Sequence, residues 1–85
     1  MKIKKSVIIQ RLGKTFVAYN NVKGTLHEFN EIGFVIISEI AKGKKEKDIV
    51  RKLTEIYQVT PRRALADLEE FIRVLENKNL ITPKK

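Results

Sequence analysis

His27 is the only histidine in a chain of 85 residues that has no cysteine. A metal site of imidazoles and thiolates therefore lacks ligands, and disulfides and cysteine nucleophiles are excluded. Asp67 and Glu70 fall in a helical segment, where carboxylates on the surface are ordinarily just solvated. No glycine-rich phosphate loop and no nucleophile with a plausible base appears along the chain. The expectation is a protein that is not an enzyme and uses no cofactor or metal. His27 could sense pH or hold a ligand, but a half-exposed strand histidine without a task is the plainer reading. Phe16, Tyr19, Phe29, Phe34, Tyr57 and Phe71 read as core rather than as a platform for stacking bases. What remains is the chemistry of the main chain. Residues 24–29 should make the last strand in the chain, and a last strand can lie at an open edge. Its unpaired N–H and C=O groups are then a template for a second chain.

The elements that would position this edge follow from periodicity. Val7–Leu12 and Thr15–Asn20 are short apolar runs joined through Gly13-Lys14, a hairpin. Asn21-Val22-Lys23-Gly24 leads into the third strand, where Leu26 and Glu28 point one way and Thr25, His27 and Phe29 the other. Neither face of that strand is plainly the core side. At Asn30 the apolar period changes from two to about 3.6. Asn30 is placed to cap a helix over Glu31–Ala41, and Glu31 puts negative charge near the positive end of its dipole. Ile32, Phe34, Val35, Ile36, Ile37 and Ile40 surround most of this helix, which should be the most deeply buried element. A second helix, Glu46–Tyr57, carries Ile49, Val50, Leu53, Ile56 and Tyr57 on one stripe, and starts poorly capped after Lys44-Lys45. Thr60 caps and Pro61 begins a third helix that runs to about Lys78, with Ala64, Leu65, Leu68, Phe71, Ile72 and Leu75 at intervals of three and four. Glu69 and Arg73 are spaced for an i,i+4 ion pair. Asn79 suits a left-handed helix end with Leu80 folding back, and residues 82–85 should fray.

The formal net charge is +8, and its placement matters more than its size. Lys2, Lys4, Lys5, Arg11, Lys14 and Lys23 stand in the first 23 residues without a single acid. A second basic stretch, 42–52, sets six cations against Glu46 and Asp48, whereas Arg62, Arg63, Arg73 and Lys78 are balanced by Asp67, Glu69, Glu70 and Glu76. A basic body suits an acidic or nucleic-acid partner in principle. The apolar run Val7-Ile8-Ile9 is too short for a signal peptide, and no segment approaches the ~20 residues that cross a bilayer. A single cytoplasmic domain over residues 1–85, without membrane contact, is the expectation.

Phe29-Asn30-Glu31-Ile32-Gly33, the isoleucine-rich helix, Gly43, Ile49, Leu53, Tyr57-Gln58-Val59, Asp67, Phe71, Leu75 and Asn79-Leu80-Ile81 form an ordered series that resembles the PqqD-like family, the recognition elements of ribosomally made, post-translationally modified peptides. The resemblance covers about residues 7–81. It departs at Lys45, where a small hydroxyl residue often caps the second helix, and at Asn79, where glycine is common. The fold it implies is α+β, a three-stranded antiparallel sheet followed by three helices, similar to winged helix-turn-helix domains. It also implies that the leader segment of a precursor peptide adds as a strand to the third strand and packs on the third helix. The partners implied are that peptide and a maturation enzyme, such as a radical SAM enzyme or a leader peptidase or cyclase. On this chain the peptide-binding residues would be Thr25, Leu26, His27 and Glu28 for main-chain pairing, with Arg62, Ala66, Glu69 and Arg73 on the third helix. A DNA-binding winged helix is the alternative, because three residues between the second and third helices suit a helix-turn-helix. Its reading helix, however, would be neutral, where phosphate demands positive charge.

Overall fold

A computed structural model of the chain describes residues 1–82. In chain order these form β1 (Lys2–Ile3), β2 (Val7–Leu12), β3 (Thr15–Asn20), β4 (Thr25–Phe29), α1 (Glu31–Ala41), α2 (Glu46–Tyr57), α3 (Pro61–Asn77) and β5 (Ile81–Thr82). β2, β3 and β4 make an antiparallel meander in that order, so β4 is an edge strand. Leu12 lies opposite Thr15, leaving two residues for the turn. Gly13 takes φ +64°, which a type II′ hairpin requires of its first central residue. The next turn is organised by Asn20. Its buried side-chain oxygen accepts from the N–H groups of Val22 at 3.1 Å and Lys23 at 3.2 Å, and its carbonyl from that of Gly24 at 2.7 Å.

Asn30 caps α1 as its position indicates: Oδ1 accepts from the Gly33 N–H at 2.8 Å. Thr60 caps α3 in the same way, accepting from Arg63 N–H at 3.2 Å, with Pro61 beginning the helix. An Asn30→Ala chain should lose about 1 kcal/mol of stability, measured as a lower urea midpoint at unchanged slope. The core lies between the inner sheet face and the helices. It holds Ala18, then Ile36, Ile37 and Ile40 of α1, Ile49 and Leu53 of α2, and Ala64, Leu68, Ile72 and Leu75 of α3.

The structure departs from the sequence reading at several places. Ile32 and Ile56 are exposed, because each sits at the border of its helix's apolar stripe rather than at its centre. The ion pair on α3 joins Arg63 Nε to Asp67 at 3.2 Å; among the described residues Glu69 and Arg73 form none. Lys52 turns back to the buried Glu39 at 3.6 Å, which Lys42 also reaches at 3.3 Å. Thr82 does not fray, and residues 24–29 are not the chain's last strand: β5 pairs with β1, Ile3 opposite Ile81 and Lys2 opposite Thr82. Asn79 takes φ +59° and lets the chain reverse, so that Leu80 and Ile81 are buried and hold the first residues against the body. Residues 83–85 lie outside the described part. No described helix is long and apolar enough to cross a membrane.

Candidate functional site

Which main-chain groups of β4 are free follows from the parity of the ladder. Asn21 N–H donates to Ser6 O at 3.0 Å, one residue beyond the Val7–Asn20 pair. In an antiparallel ladder the bonded pairs alternate, so Tyr19 and Val17 turn their main-chain groups toward β2. Phe16, Ala18 and Asn20 then turn theirs toward β4, where they meet Phe29, His27 and Thr25. Leu26 and Glu28 are left with N–H and C=O directed to the open edge. The bond from Gly24 to Asn20 O agrees with this parity.

The same alternation separates the side chains. Leu26 and Glu28 stand exposed on the outer face, while Thr25, His27 and Phe29 are half-buried on the face toward the helices. The core side of this strand, undecided in the sequence, is set by what packs on it. The Phe29 ring meets Phe71 of α3 edge-on, centroids 5.5 Å apart. Gly33 lies beneath: a Cβ there would come within 3.0 Å of the Phe71 ring. Glycine lets the ring come this close to the start of α1, where even a Cβ would require the Phe71 ring to give way by a few tenths of an ångström. Beyond Phe71 toward α3's end follow Val74 and Lys78, at helical spacings of three and four. One turn nearer its start is Asp67, beside a dimple lined by Ile32, Tyr57, Val59 and Ala64. The strip between the β4 edge and this side of α3, floored by the Phe29–Phe71 contact, is the candidate groove.

His27 sits in this groove with its pKa held below the ordinary 6.5, first by burial and then by the charge of Lys78. As pH falls, the unfolded chain takes up the proton before the folded one. The imidazole thus contributes stability that is full above the unfolded value and lost as pH falls through the folded one. The urea midpoint should drop as pH falls below the ordinary 6.5 and through the lowered folded value. His27→Gln should remove that part of the slope.

Of the residues singled out in the sequence, Thr25, Leu26, His27 and Glu28 do lie together on the edge strand. The structure does not bring Arg62, Ala66, Glu69 and Arg73 to it. All four are exposed, and they stand about 140–200° round α3 from Phe71 at roughly 100° per residue. Arg62 instead borders α2, next to Lys47, Val50 and Leu65. Gly33, Phe71, Val74 and Lys78, which border this candidate groove, were not singled out from the sequence as site residues, because an aromatic in a helical stripe reads as core. The signal available was that Phe71, Val74 and Lys78 repeat along the border of the stripe opposite to Leu65. The outward face of α3 mixes Arg62 and Arg73 with Glu69, and Arg63 is tied to Asp67. It is not the positive face that DNA requires.

Fold and edge define a small α+β scaffold in which no described residue pairs with the outer side of β4, beside a helix. Residues 15–81 match the family model described as coenzyme PQQ synthesis protein D (PqqD), and the chain belongs to this family. Among solved structures, TbiB1 in complex with the TbiA(beta) leader peptide is 28% identical with a TM-score of 0.91, over 100% of this chain and 99% of that one. A lasso peptide synthetase B1 complexed with the leader peptide shares the fold, with a TM-score of 0.88 at 17% identity over 96% of each chain. No curated protein sequence shows a significant match.

Proposed function

We propose that the chain binds the leader segment of a ribosomally synthesised precursor peptide as an added strand on β4, and delivers it to a maturation enzyme of the radical SAM, peptidase or cyclase kind. The observation that carries this reading is the edge itself. Leu26 and Glu28 offer two donors and two acceptors at a fixed repeat, with an apolar groove at their side. Each such bond contributes roughly 0.5–1.5 kcal/mol net, and the bonds are indifferent to sequence. Specificity then comes from the alternate peptide residues that face the helices, each buried anchor adding about 1.5–3 kcal/mol. The relative of 28% identity is a leader-peptide complex, and its match extends over the whole of this chain. Thr25, Leu26, His27 and Glu28 make the pairing strand in this proposal, and Phe29, Phe71 and Val74 receive the anchors. The chain itself carries the peptide and does no chemistry on it.

Titration calorimetry with the precursor's leader tests this directly. Saturable one-to-one binding with a negative heat-capacity change is expected. Binding instead to a duplex of defined sequence, falling steeply with salt, would replace the proposal by the DNA reading.

A further inference from the structure

The outer face of the sheet has no element packed on it among the described residues, yet it is not polar. Ile8, Tyr19 and Leu26 face one another across the three strands in a single row. All three are exposed, and Leu12, 55% exposed, stands further along β2 on the same face. Val17 fills the centre at 3% exposure. A monomer in water gains nothing by presenting these groups, and such a patch on an otherwise charged domain marks a surface that another molecule covers. Exposed Lys5, Lys14 and Lys23 stand in the turns and entry at the ends of the face, and no described acid pairs with them.

We infer that this face docks the maturation enzyme through an apolar surface bordered by carboxylates. The inference rests on the leader-binding reading, and two features carry it. The first is charge. An apolar centre with a lysine rim is complemented by an apolar centre with an acidic rim. A second copy would bring the same lysines against their own kind. The second is continuity. The main-chain groups of Leu26 and Glu28 face the open edge while their side chains lie on the outer face. A leader strand added there extends this face by one row, its outward residues next to Leu26 and Glu28. A partner seated on Ile8, Tyr19 and Leu26 therefore touches the bound leader as well, and reads the loaded state more tightly than the empty one.

The test uses the full chain, its precursor peptide and the purified maturation enzyme that acts on that peptide. The peptide titration is run first and alone, so that its failure, which would sink the leader reading and this inference together, is separated from failure of the docking face. Ile8→Thr with Leu12→Thr alters β2, away from the leader edge, and Lys14→Glu with Lys23→Glu reverses the rim without touching the strands. Each pair should leave leader affinity within about twofold and weaken enzyme binding by ~10-fold or more. Leader should tighten enzyme binding to the unaltered chain. Unchanged enzyme affinity in both pairs overturns the inference. So does loss of leader binding in either, which would place the patch inside the peptide site. A dimer in sedimentation that the threonine pair abolishes would assign the face to a second copy. Co-sedimentation with phosphatidylglycerol vesicles abolished by either pair would assign it to lipid. Either of those results also overturns the proposal.

Discussion

Leu26→Pro is expected to weaken leader binding by roughly 10- to 100-fold while the chain stays folded. The Leu26 N–H faces the open edge, so proline there takes nothing from the β3–β4 ladder. It removes one donor to the peptide, and its ring occupies the space through which the peptide carbonyl must approach. One lost bond and one strained neighbour amount to about 1.4–2.8 kcal/mol, which is the stated range. Two companions make the result specific. Leu26→Ala, which changes the side chain and keeps the N–H, should bind the leader nearly as well as the parent. His27→Pro, one residue on, removes an inward N–H that pairs with Ala18, and should unfold the strand. Calorimetry gives the affinities, and far-ultraviolet circular dichroism reports the fold. Equal affinity of the parent and Leu26→Pro would show that the leader does not pair with this edge.

Phe71→Ala should be the second large effect, and it separates the two sides of α3. Phe71 is half-buried, stacked edge-on against Phe29 and lodged over Gly33. Truncation removes the floor on which an inward peptide anchor rests, so leader affinity should fall by about 10- to 100-fold, the loss of one anchor. Folding stability should fall as well, by about 2 kcal/mol, below the cost for a fully buried phenylalanine. Arg73→Ala, on the opposite face, should change leader affinity less than about twofold. If the two results came out reversed, the peptide would lie on the outward face of α3, with Arg62, Ala66 and Glu69 beside it. Calorimetry at a temperature where both variants are fully folded, checked by urea denaturation, decides between them.

Both experiments turn on features whose legibility in the sequence differs. The caps were plain: Asn30 before an isoleucine-rich run and Thr60-Pro61 before a heptad-like one have one good use each, and both oxygens accept the expected N–H. So was the hairpin at Gly13-Lys14. The terminal clasp was not. Lys2–Ile3 and Ile81–Thr82 are two residues each, too short for any alternation, and they become strands only because Asn79 turns the chain back and buries Leu80 and Ile81 beside Ile3. The α3 groove residues were hidden for a related reason. Phe71 belongs equally to the core stripe and to its border, and period alone does not say which neighbour lies on that side.

Local chemistry is written residue by residue, because caps, turns and apolar periods depend on neighbours within four positions. That is why the order of the three meander strands and three helices, the helix starts and the edge position of residues 24–29 could be read from the chain itself. What lies across space depends on register, and register is settled by the whole sheet at once. Only the pairing of Asn21 with Ser6 decided that Leu26 and Glu28, rather than Thr25 and His27, offer their main-chain groups to a partner. Only the packing of Phe29 on Phe71 decided which side of α3 faces them.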